Sequence, residues 1–111
     1  MSASQMITTF LPIALGVVMI GAGVVNFVGP SSVRQSFARW GYPAGFHRVT
    51  GGLEVVTGLL LIVPVTAWFG ALGSIAILLS AVVTLIRFRD WGHLPGAIAL
   101  AALAATIAVH G

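Results

Sequence analysis

The sequence predicts an all-α integral membrane four-helix bundle with a short interfacial helix between spans one and two. First, 59% of the 111 residues are apolar and only 6% are charged, with mean hydropathy +1.10. Soluble domains carry about a quarter charged residues, so the preferred solvent of this chain is lipid. Second, four apolar stretches, about 6–28, 44–63, 67–86 and 94–109, are separated by glycine- and proline-bearing turns. Third, the cations are all arginine (Arg34, Arg39, Arg48, Arg87 and Arg89), and all lie in or beside the first and third connections. The chain reads as one domain over residues 1–111.

Span one is uncharged, and at about 1.5 Å per residue it crosses a hydrocarbon core with some tilt. No basic residue precedes it, so it reads as a retained helix and not as a signal peptide. Pro12 should bend it slightly, Asn26 is its one strongly polar residue, and Gly29-Pro30 ends it. In the connection that follows, Ser31 or Ser32 is expected to cap a short helix. Val33, Phe37 and Trp40 fall on one face, with Arg34 and Gln35 off it. That pattern suits a helix lying in the headgroup layer, or else an ordered loop packed on the bundle end. Gly41-Tyr42-Pro43 is a turn. Span two is the most polar, with His47, Arg48, Thr50, Glu54 and Thr57. Span three follows Pro64-Val65-Thr66 and carries Ser74, Ser80 and Thr84. The stretch RFRDWGHLPG precedes a short, alanine-rich span four. Small residues should allow close helix contact: Gly51 with Gly58, Gly70 with Ser74, and Ala97, Ala101 and Ala105.

Four spans put both termini on one side of the membrane and the arginine-rich connections on the other. The positive-inside rule makes the arginine side cytoplasmic and the termini extracytoplasmic. The formal charge of +3 is then a topology signal, and no nucleic-acid partner is inferred. The partner is the lipid bilayer, and a homo-oligomer stays open.

Glu54 lies near the middle of span two, where a carboxylate costs roughly 2.5–3.5 kcal/mol to insert. Such a group faces inward and finds a partner. Spacing puts His47, Gly51, Glu54 and Gly58 along one face. Asn26, His47, Arg48, Thr84, Arg87, Trp91 and His93 all reach the same end of the bundle. A pocket follows, open toward the arginine side, in which proton transfer on a small lipophilic molecule is the suited chemistry. Glu54, His47 and His93 are the candidate catalytic groups. Asn26, Arg48, Thr84, Arg87 and Trp91 are the candidate ligand-binding groups. The structural alternative is a Glu54 that is neutral or bonded to a facing Ser or Thr, with interfacial histidines. Two histidines at one end do not establish a haem, no cofactor is assigned, and no metal-ligand set or nucleophile triad is visible.

The stretches AGVVNFVGP, WGYP and GGLEVVTGLLLIVP resemble the DoxX-like membrane proteins, and the resemblance covers nearly the whole chain. Gly23, Gly41, Pro43 and Glu54 match the pattern. The family often has lysine where this chain has Asn26, and His93 is similar to a histidine of some members. The resemblance implies a four-helix fold in the plasma membrane. It also implies a link to oxidoreductase systems, such as quinone-coupled thiosulfate oxidation or membrane redox-defence complexes. With no cysteine, thiol chemistry cannot occur on this chain. Two functions stay open on these grounds. One is binding or transformation of a quinone, isoprenoid or steroid-like molecule. The other is a non-catalytic subunit or assembly partner of an oxidoreductase complex.

Overall fold

The computed structural model describes residues 2–110, and there is no strand among them. Helix α1 spans Ala3–Val28. It is followed by α2 (Ser31–Arg39), α3 (Phe46–Ile62), α4 (Ala67–Arg87) and α5 (Leu94–His110). The first helix starts earlier than hydropathy suggests, because Ser2 and Gln5 form a reciprocal capping box. The turn Met6–Phe10 widens to π geometry directly before Pro12, whose missing N–H and bulky ring disturb the usual register. Gly29 closes α1 in the left-handed conformation, with φ 65°, and its N–H bonds the Val25 carbonyl at 3.0 Å.

The expected serine cap on α2 is not made. Pro30 occupies the cap position, and no side chain bonds the first-turn amides. Ser31 and Ser32 fall inside the first turn, and the Pro30 carbonyl instead accepts from Val33 and Arg34 at 2.9 and 3.1 Å. The face is as the spacing predicts: Phe37 is buried, Val33 and Trp40 are half-buried, and Arg34 and Gln35 are exposed.

Helices α1 and α3 run antiparallel with their backbones in contact. A Cβ added to Gly16 or to Gly58 would lie 2.7 Å from the other's carbonyl oxygen. At Gly23 and Gly51 the reciprocal distances are 2.7 and 2.5 Å. Two glycine pairs spaced by seven residues on each helix therefore set the register. Helix α4 packs on α3, where a Cβ at Gly70 would meet the Leu61 amide at 2.6 Å. Helix α5 packs on α4, and the Trp68 indole donates to the Ala108 carbonyl at 3.2 Å. The alanine stripe of α5 departs from expectation at one position. Ala97 and Ala101 are half-buried, but the contact then continues through Ala104 and Ile107, leaving Ala105 exposed. A period of 3.6 residues rotates a strict four-residue repeat off the contact line. The core is Leu15, Met19, Leu61, Ala71, Leu78, Ala104 and Ile107.

The exterior is largely apolar, with residues such as Val17, Val56, Phe69, Leu79 and Val83 exposed. By length and composition, α1 and α4 suffice to cross a membrane. Helices α3 and α5 have 17 residues each. The connections 30–45 and 88–93 meet at one end of the molecule, where Arg39 pairs with Asp90 at 3.0 Å. Arg48 lies in the first turn of α3, and Arg87 is the last residue of α4. All five arginines therefore gather at this end.

Candidate functional site

Glu54 sits halfway along α3, about 12 Å from its first residue, and is buried. The Asn26 side-chain amide, near the end of α1, donates to Glu54 Oε1. The hydroxyl of Thr57 donates to the backbone carbonyls of Leu53 and Glu54, not to the carboxylate. No arginine reaches Glu54, and every ion pair among the described residues involves Asp90. The partner of the buried acid is therefore a neutral amide.

Glu54 and Asn26 form part of the wall of a cavity of about 470 Å³, a size that suits a small organic molecule. Its apolar wall includes Phe37, Phe46, Leu53, Ile77, Leu78 and Leu85, and its polar groups include Trp40, Tyr42, Thr50, Ser80, Thr84 and His93. The lining extends from Trp40, Tyr42 and His93 at the arginine-bearing end to Glu54. Helix α5 supplies no lining residue; its side of the molecule contributes only His93, from the preceding turn.

The predicted site residues separate into distinct groups. Asn26, Glu54, Thr84 and His93 line this cavity. His47 is buried but stands behind it, with Nδ1 2.8 Å from the Asn26 backbone oxygen. A carbonyl only accepts, so Nδ1 carries the hydrogen. His47 thus holds the backbone that presents the Asn26 amide. It fills the space left by Gly29, where a Cβ would lie 2.6 Å from the imidazole Nδ1. Arg48 and Trp91 are exposed and line neither this cavity nor the second one described below. Arg87 borders a second, more open cavity of about 570 Å³, together with Trp40, Tyr42, Thr84 and Phe88. Its guanidinium lies 5.5 Å from the Phe88 ring centre.

Sequence reasoning did not single out the aromatic wall or the role of Tyr42. The Tyr42 and Thr84 hydroxyls are 2.6 Å apart, joining the 40–45 turn to α4. The Tyr42 and Phe46 rings stack at 4.7 Å. The density of aromatic residues from Phe37 to Phe46 was the available signal. At the mouth, the Asp90 carboxylate bonds His93 at 2.9 Å and Arg39 at 3.0 Å. The hydrogen bond from His93, and then the charges of His93 and Arg39, hold the Asp90 carboxyl below its ordinary value. Asp90 is placed by a left-handed Arg89, φ 54°, and by its own N–H to the Leu85 carbonyl at 2.8 Å.

No curated protein and no solved structure matches the chain. A family model described as the DoxX-like family matches residues 10–107. That match covers most of every long helix and all the residues that line the Glu54 cavity, so the chain belongs to the DoxX-like family.

Proposed function

We propose that the protein is a four-span membrane bundle whose Glu54 cavity binds a small lipophilic molecule carrying one hydrogen-bonding group. The carrying observation is that a mid-helix carboxylate faces a roomy, largely apolar cavity and is met there by an amide instead of a cation. The apolar exterior and the arginines at one end support four crossings with the arginine end cytoplasmic. The bacterial plasma membrane is the compartment that the family suggests.

In this reading Glu54 anchors the ligand's polar group or exchanges a proton with it, and Asn26 orients the carboxylate. His47 fixes Asn26 from behind, and His93 is the proton partner at the mouth. A quinone, an isoprenoid or a steroid-like compound fits such a wall, and a quinone would tie the protein to a redox system. The cavity favours ligand binding over the alternative of a purely structural subunit, which needs no internal space beside Glu54.

The test is mass spectrometry of small molecules extracted from the purified protein. Wild type should yield a lipophile in near-stoichiometric amount. Glu54→Gln and Ala81→Phe, which adds bulk at a residue of α4 that lines the cavity, should each reduce its recovery at least about tenfold while keeping helical circular dichroism. Equal recovery from all three refutes the site. Copurification of a protein partner with no small molecule supports the subunit alternative.

A further inference from the structure

The second cavity differs in chemistry from the one that holds Glu54. Its polar lining is Arg87, Trp40, Tyr42, Thr84 and Ser80, and it contains no carboxylate. The indole nitrogen of Trp40, a residue in the wall shared by the two cavities, is buried and meets no acceptor. Tyr42 and Thr84 share one hydrogen bond, so whichever hydroxyl accepts it keeps its own hydrogen free to donate. A guanidinium, an unpartnered indole N–H and a free hydroxyl hydrogen together form a set of donors that lacks an acceptor. The cavity also borders Leu79 and Val83, both exposed on the apolar outer face of α4. An acid-free donor pocket at the end of an apolar strip matches a molecule with an anionic head and a hydrocarbon chain.

We infer that this outer cavity is a binding site for the phosphate-bearing head of an anionic membrane lipid. The head is held by Arg87 and Trp40, and the chain runs along α4 over Val83 and Leu79. The site rests on the membrane reading above but is independent of what occupies the Glu54 cavity. The two cavities share the wall formed by Trp40, Tyr42 and Thr84, so a bound head group braces the inner cavity from outside.

The experiment is native mass spectrometry of the full chain released from nanodiscs containing equal phosphatidylglycerol and phosphatidylcholine. Wild type should retain one phosphatidylglycerol, and Arg87→Gln and Trp40→Phe should each lower that retention at least about tenfold. Arg48→Gln, which alters an arginine outside both cavities, should leave it unchanged. Arg87 is exposed, so its variant tests the site even if Trp40→Phe disturbs folding. Displacement of the lipid by millimolar inorganic phosphate would identify a free-phosphate site and overturn the lipid assignment. Retention indifferent to Arg87, or equal retention of phosphatidylcholine, would overturn the site while leaving the membrane reading intact. A chain that does not insert into nanodiscs removes both.

Discussion

Alanine at Gly29 introduces two separable penalties. The residue has φ 65°, a conformation that costs an L side chain about 1–2 kcal/mol. The added Cβ would also stand 2.6 Å from Nδ1 of His47 and closer still to Cε1, an overlap in a packed site that adds about 1–3 kcal/mol. Gly45 supplies the control, because it has φ 86° and a Cβ placed there would find nothing within 4 Å. Gly29→Ala should therefore destabilise by roughly 2–5 kcal/mol and Gly45→Ala by about 1–2 kcal/mol. Unfolding in mixed micelles titrated with a denaturing detergent measures both. Adding His47→Ala to Gly29→Ala should remove the overlap and make the pair non-additive by at least about 1 kcal/mol. Equal losses at Gly29 and Gly45, or strict additivity with His47, would refute the packing of His47 against the end of α1.

Other outcomes follow from the same geometry. Gly58→Ala should separate α1 from α3 and cost about 1–3 kcal/mol, while Gly52→Ala, with open space at its Cβ, should be neutral or stabilising by up to about 1 kcal/mol. Asn26→Leu should leave the Glu54 carboxylate without its donor and cost about 1–3 kcal/mol, measured in the same micelle titration. Asp90 has a lowered folded value, so its stabilising effect is fully present above the unfolded carboxylate range near about 3.9. That effect is lost as pH falls through the folded value. Thermal midpoints should fall on acidification below about pH 4, and Asp90→Asn should remove that part of the decline. Glu54 is the only other acidic side chain, which makes the assignment direct.

The helices were legible because apolar runs and their punctuation are local. Residues 67–86 became Ala67–Arg87, and 94–109 became Leu94–His110. The buried orientation of Glu54 was legible from the cost of a charge in an apolar setting. Its partner was not, because Asn26 and Glu54 are brought together by the α1–α3 register, which depends on glycines at positions 16, 23, 51 and 58 acting jointly. Tyr42 and Thr84, 42 residues apart, meet for the same kind of reason. The serine cap was misassigned because Pro30 provides a carbonyl one residue earlier than a serine could. Arg87 borders the outer cavity and not the one at Glu54, a distinction the sequence does not carry, because it places the residue at the end of α4 without saying toward which side of the helix it turns.

The paired glycines also divide the molecule mechanically. Where peptide groups touch directly, there is no flexible side chain to absorb a slide or a roll, so the first and third helices behave as one stiff spine carrying the amide and the acid. Give is concentrated opposite, where side chains and a single hydroxyl pair connect the aromatic turn to α4. On the ligand-binding reading proposed above, a molecule bound at Glu54 would displace that softer wall and leave the Asn26–Glu54 pair in place.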